Sequence, residues 1–277
     1  RVQLESGSQK GKTIEVEHGL LYTLTEDQKV AVGDRVVINK VDTENGTTYS
    51  VYDSYRTSPL LWMTILFFAL VILFAGKKGV GSVVGLAVTI LILIYYIAPQ
   101  IMAGSNPLLI TTTGAILIAC TSLLIAHGFN KRTALALVST LATLLAATGL
   151  AVIFVAAAKL FGTGAEETVY LQYAGIENLN LQGLLLGGII IGTLGVLDDI
   201  TTAQVAAVDE IHKAKPTLTM WDLYKRGSSV GKEHIASLVN TLVLAYAGAS
   251  LPLFLLFTTQ SEVPFWVTFN SEFIAEE

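Results

Sequence analysis

GLLLGGIIIGTLGVLDDITTAQVAAV, residues 183–208, decides what kind of protein this chain builds. Its clean apolar run, 184–197, spans only about 21 Å as a helix at about 1.5 Å per residue, short of the roughly 30 Å of hydrocarbon in a bilayer. Apolar character resumes at Ile200 and runs to Val208 without another charge. The helix is therefore expected to continue, carrying Asp198, Asp199, Thr201, Thr202 and Gln204 into the inner half of the membrane. Alternatively the helix starts near Leu179 and stops at Leu197, leaving both acids solvated at the interface. The segment 200–208 would then be oddly apolar for a solvated stretch.

Similar blocks lie on either side. Spans are expected at 60–75, 80–97, 108–126, 134–158, about 183–208 and 235–257, six in all. Pro107 opens the third, where a missing N–H does no harm, and Pro252 lies inside the sixth, where it predicts a kink. The whole chain of 277 residues is 52% hydrophobic and 14% charged, with a mean hydropathy of +0.61. That is too apolar for one soluble domain, and the excess must face lipid. A net charge of -5 with no basic stripe interleaved with aromatics excludes nucleic acid as a partner. The single Cys120 sits inside an apolar block and reads as a small core residue.

Lys and Arg in the short loops set the orientation. Lys77, Lys78, Lys131, Arg132, Lys213, Lys215, Lys225, Arg226 and Lys232 fall on one side, against Lys159 in the opposite short loops. The basic side is expected to be cytoplasmic. The chain divides accordingly into an extracytoplasmic β-barrel-like head at 1–58, a helical transmembrane bundle at 59–257 and an extracytoplasmic interfacial tail at 258–277. In the head, 13–17, 35–41 and 47–52 read as strands, and Asn45-Gly46 as a type I′ hairpin turn. In the tail, Phe265, Trp266, Phe269 and Phe273 suit the headgroup level of an interface.

Two carboxylates inside a span are costly unless they face a water-filled cavity, meet a cation or stay protonated, which makes them a functional-site hypothesis. Asp198 shares a helix face with Thr201 and Thr202, at i+3 and i+4, while Asp199 is turned by about 100° and shares its face with Thr202. The sixth span offers a facing set, His234, Ser237 and Thr241 with Asn240 beside them, although Asn and Thr in such helices also serve as plain interhelical hydrogen-bond groups. Small-residue pairs for close packing are Gly188 with Gly192, Gly81 with Gly85, and Ala245 with Ala249.

Other chemistries lack support. Gly227-Ser228-Ser229-Val230-Gly231-Lys232 has three residues between its glycines instead of the four of a phosphate loop, and Glu233 replaces the metal-binding hydroxyl. No HExxH, CxxC or GxSxG is present, so neither a metalloenzyme nor a serine hydrolase is expected, and no cofactor. An intramembrane aspartyl protease needs acids on two facing helices, whereas Asp198 and Asp199 are neighbours.

The stretches from Gly192 to Gln204, GTLGVLDDITTAQ, and from Asn240 to Pro252, NTLVLAYAGASLP, resemble the YibE/F family of bacterial membrane proteins. Val32-Gly33-Asp34-Arg35-Val36 and Asn270-Ser271-Glu272-Phe273 extend the similarity. The resemblance implies a multi-pass protein of the bacterial cell membrane with an external β-rich head. It also implies a further helix before the head and another after the tail, about eight spans in the full protein, and favours Asp199 of the two acids. The expectation is a transporter or exporter of a small ion or polar solute, with Asp198, Asp199, Thr201, Thr202, Gln204, Asn240, Thr241 and Ser250 as the binding set. They would hold a proton, a metal or sodium cation, or a cationic part of the substrate. The expected partners are the bilayer, the small solute and a second copy of the chain. From a different class, the chain could be a non-transporting anchor or sensor whose head binds an external partner. A water-accessible polar cavity reaching Asp199 would separate the two.

Overall fold

The computed structural model describes the chain apart from residues 20–24, 26–28, 44–45, 174–178, 253–254, 256–263 and 277. It divides into two compact units, Arg1–Val71 and Ile72–Glu277.

In the first unit, β1 (Val2–Gln3) pairs antiparallel with β2 (Thr13–Ile14), and β3 (Val36–Thr43) with β4 (Gly46–Ser54). A single parallel bridge joins Glu17 to Ser50, with Glu17 N–H donating to Tyr49 O at 3.2 Å and Val51 N–H to Glu17 O at 3.0 Å. All three expected strand regions carry strand or bridge pairing. The sheets, however, are two two-stranded ribbons, and no closed barrel forms among the described residues. The hairpin register also differs from the expected turn. Thr43 faces Gly46, so Gly46 opens β4, at φ 127, instead of occupying the turn; Asn45 lies outside the described residues.

The rest is helical. Helix α1 (Thr57–Ile92) passes through a π-helical turn, Leu93–Ile97, into α2 (Ala98–Met102). Pro99 removes a backbone donor near this junction, a common setting for such a wider turn. Within α1 the backbone leaves helical geometry at Gly76 (φ 58, ψ -132), a conformation open to glycine alone. There follow α3 (Pro107–His127), α4 (Lys131–Ala157), α5 (Glu166–Tyr173), α6 (Leu181–Ala214), α7 (Met220–Ala249), α8 (Phe265–Phe269) and α9 (Glu272–Ala275).

The starts of the long helices are written in the sequence. Asn106, Asn130, Asn180 and Thr219 each precede a helix, and each side chain accepts the N–H three residues on, from Leu109, Thr133, Gly183 and Asp222. These caps satisfy amide groups that have no partner inside the helix. Pro107 sits at the first helical position of α3, as expected.

Among the described residues, four segments are long and apolar enough to cross a membrane: Thr57–Met102, Pro107–His127, Lys131–Ala157 and Leu181–Ala214. At 46 residues the first is about 69 Å long if straight, twice the thickness of a bilayer, and Gly76 interrupts it. The expected span at 235–257 lies only partly within the described residues; α7 ends at Ala249, Ser250 forms a turn, and Leu251 and Pro252 are helical again.

The core sits where α3, α4 and α6 meet, on Ala115, Ile118, Ala119, Leu144, Ile190 and Leu194, with Ile97 and Ile101 packed against them. Outside this core Trp62, Met63, Leu66, Phe67, Leu73 and Phe74 on α1 are exposed, as are Leu150, Ile153 and Phe154 on α4. Large apolar side chains facing outward on helices of membrane length are the surface of a membrane protein.

Glycines bring the helices close. A Cβ on Gly81 would stand 2.8 Å from the Ile125 carbonyl oxygen, and one on Gly85 3.5 Å from the Ser122 Cα, so the expected pair does mark a close crossing of α1 with α3. On α6 the packed glycines are Gly183 and Gly187, the latter 2.6 Å from Thr111 Cγ2 in the same sense. The expected pair Gly188 and Gly192 is exposed with nothing within 4 Å, and Ala245 and Ala249 on α7 are exposed too.

Candidate functional site

Helix α6 does continue past Leu197, to Ala214, without a break at the acids. Its continuation packs against both α4 and α7. The reading in which the helix stops at Leu197 is thereby excluded.

Each polar residue of this segment has a different setting. Thr201 is buried and its hydroxyl lies 2.5 Å from that of the fully buried Thr140 on α4. Thr201 donates to the Leu197 carbonyl at 2.8 Å, which leaves Thr140 as the donor of the pair. The two hydroxyls thus form a satisfied chain from α4 onto the α6 backbone, where an unpaired hydroxyl would be costly. Thr202 donates to the Asp198 carbonyl at 2.8 Å, so both threonine protons go to the backbone one turn earlier. Only their oxygen lone pairs remain to meet a ligand.

Gln204 faces α7. Its amide donates to the Gly227 carbonyl at 2.8 Å, and a Cβ on Gly231 would come within 3.3 Å of its Oε1. The glycines of the rejected phosphate-loop motif therefore form a notch that admits Gln204. Val208 fills the same notch, 2.8 Å from where a Gly227 Cβ would stand. Gln204 acts here as interhelical glue.

Asp198 is half-buried and Asp199 exposed. One oxygen of Asp198, Oδ1, is buried without a hydrogen-bond partner among the described residues. Ser122 and His127 of α3 lie near enough to act on that carboxyl, as does Asp199.

A cavity of about 460 Å³ opens beside this group, within the size range of small-ligand pockets. Thr202 lines it, along with Lys78, His127, Asn130, Arg132 and Thr133. It reaches the residue one turn beyond Asp198, and neither carboxylate is in its lining. Sequence reasoning missed this cavity. Its cations had been read as loop charges for orientation, and the Gly81 and Gly85 crossing that brings α1 beside the end of α3 was the only available signal.

The expected facing set on α7 is not brought to the acids. That helix turns Gly227 and, half-buried, Leu223, Ser228, Gly231, Leu238 and Leu242 inward, one face at helical spacing. His234, Ser237, Asn240 and Thr241 are exposed, and the Thr241 hydroxyl donates to Ser237 O at 3.0 Å. Ser250 caps the end of α7, its N–H donating to Tyr246 O.

Beyond the cavity, Arg132 bridges α4 to Asp209 and Glu210 of α6, and Lys213 reaches the same acids at 2.8 and 3.1 Å. No group of three or more His, Cys, Asp or Glu suited to a metal occurs among the described residues.

No curated protein and no solved structure matches the chain. A family model does, that of the YibE/F-like protein, over residues 63–277, a range that holds all of the candidate site and leaves the Val32–Val36 stretch of the head outside it. With that match covering most of its length, the chain belongs to the YibE/F-like family.

Proposed function

We propose that this membrane protein is a transporter or exporter of a small ion or polar solute, with Asp198 and Asp199 as its coupling or substrate site. The observation that carries this reading is the buried, unpartnered Oδ1 of Asp198 on a helix otherwise apolar enough to span a bilayer. A carboxylate oxygen left unsatisfied in such surroundings is costly, and a proton, a cation or a cationic substrate group would satisfy it. Thr202 adds a lone pair from the adjoining cavity wall. The six-span arrangement is part of the same proposal, with Gly76 dividing α1 and its continuation into two legs and the apolar part of α7 supplying the sixth. So are the bacterial cell membrane and an extracytoplasmic head.

The test is flux. The protein is reconstituted into vesicles and screened against a panel of ions and small polar solutes. Replacing both acids, Asp198→Asn with Asp199→Asn, is expected to abolish the flux that the wild type supports while leaving helicity and elution volume unchanged. Flux equal to that of the wild type in the double variant would end this site assignment. The second reading, an anchor or sensor, draws on the exposure of Asp199 and on a cavity that stops at Thr202. It predicts no flux for any member of the panel.

A further inference from the structure

We propose that the cavity beside α6 is a binding site for a phosphate group, carried either by a free anion or by an anionic lipid. The site lies on residues other than Asp198 and Asp199 and stands whether or not those acids couple transport.

Four elements converge to build it: α1, α3, α4 and α6, the last through Thr202, Ala203 and Ala206. Gly81 and Gly85 let α1 approach α3 at Ile125 and Ser122, and this crossing sets Lys78, one turn before Gly81, beside His127 at the end of α3. Asn130 then caps α4 and starts it within the same wall, bringing Arg132 and Thr133. The lining holds an ammonium, an imidazole, a guanidinium and hydroxyls, and no carboxylate.

The donors are available. Lys78 has no salt-bridge partner among the described residues. Arg132 meets Asp209 and Glu210 through Nη2, so these acids fix the guanidinium in place while its Nε and Nη1 make no hydrogen bond among the described residues. A held guanidinium with two free N–H directions is suited to phosphate oxygens. The first turn of α4 contains no acidic residue, and its open N–H groups add partial positive charge to the same wall. Leu123 and Ala136 supply an apolar floor. A basic pocket between membrane helices with such a floor fits a phosphate with apolar matter attached, as in a lipid headgroup, and equally a soluble phosphate.

The experiment uses the whole chain, purified in detergent. Inorganic phosphate is titrated calorimetrically into wild type, Lys78→Met, Lys78→Arg and Lys232→Met. In parallel, protein from phosphatidylglycerol and phosphatidylcholine nanodiscs is examined for retained lipid by native mass spectrometry. Wild type is expected to bind phosphate, or to retain phosphatidylglycerol over phosphatidylcholine. Lys78→Met is expected to weaken that binding by roughly tenfold, the scale of one charge-assisted hydrogen bond, while Lys78→Arg and Lys232→Met keep it. Phosphate that binds only after lipid is stripped identifies the lipid as occupant, and phosphate that binds regardless identifies the free anion. The proposal is overturned if wild type takes neither probe, or if Lys78→Met binds as wild type does. It is also overturned if Lys78→Arg, folded by circular dichroism, loses binding as fully as Lys78→Met.

Discussion

Helices α6 and α7 carry the same kinds of polar residue in apolar surroundings, and the structure treats them in opposite ways. On α6, Thr201 is locked to Thr140 of α4, Gln204 is seated in the α7 notch, and Asp198 keeps one buried oxygen unpaired. On α7, His234, Ser237, Asn240 and Thr241 lie exposed. A polar group in an apolar helix therefore has no fixed meaning. Its cost, and so its significance, depends on whether neighbouring helices remove it from water and whether they then supply a partner.

The sharpest way to break this comparison is to disturb the packing of α6. Gly187→Leu must displace Thr111 on α3 and is expected to lower stability by about 1–3 kcal/mol. Its neighbour Gly188 faces open space, and Gly188→Leu should stay within about 0.5 kcal/mol of the wild type. Thermal unfolding in one detergent compares the pair, and equal losses would show that α6 is not packed as described.

A smaller effect separates α6 from α7 directly. Gln204→Ala removes the interhelical bond to Gly227 and should cost roughly 1 kcal/mol, whereas Asn240→Ala, on an exposed face, should cost less than about 0.5 kcal/mol. A reversed order, read from the same unfolding curves, would mean that the inner face of α7 has been misassigned.

The smallest expected effect lies in the tail, which is largely exposed like α7 but anchored through Glu272. Glu272 accepts N–H groups from Phe161 and Thr163 and the Thr163 hydroxyl at 2.8 Å. Burial opposes its charge, and these donors, with a hydrogen bond from Glu276, outweigh burial, leaving the carboxyl below its ordinary value. A lowered value stabilises the folded form above the ordinary glutamate range, and that contribution is lost as pH falls through the lowered value. Trp266 fluorescence, following the tail, should therefore hold through the ordinary glutamate range and change only as pH falls below it. Glu272→Gln should remove that acid transition; a transition that persists unchanged in the variant would assign it elsewhere.

Much of the fold was legible because membrane insertion leaves a coarse and redundant signal. Apolar blocks of membrane length and Pro107 mark helices whatever they pack against. The length of the run 184–197, with the uncharged apolar stretch 200–208 after it, favoured a helix that continues through the acids over one that starts near Leu179 and stops at Leu197. Helix partners were not legible in the same way. Glycine spacing singled out Gly188 and Gly192 and passed over Gly183 and Gly187, which have the same spacing, because a helix carries glycines on every face and spacing does not say which face meets a neighbour. The same limit placed Asn240 and Thr241 opposite Asp198. It also hid the cavity, whose walls come from four segments that only tertiary packing unites. In the head, alternation located the strands, while the hairpin register fell one residue from the Asn45-Gly46 signal because cross-strand pairing fixed it.

Asp198 can be tested without knowing the solute. A hydrophobic carbodiimide modifies carboxyls held in apolar surroundings, and peptide mass spectrometry locates the adduct. An adduct is expected on Asp198 and none on Asp209 or Glu210, whose carboxylates are paired with Arg132 and Lys213. Modification of Asp198 no greater than that of Asp209 and Glu210 would contradict a half-buried carboxylate with one unpartnered oxygen at the centre of the site.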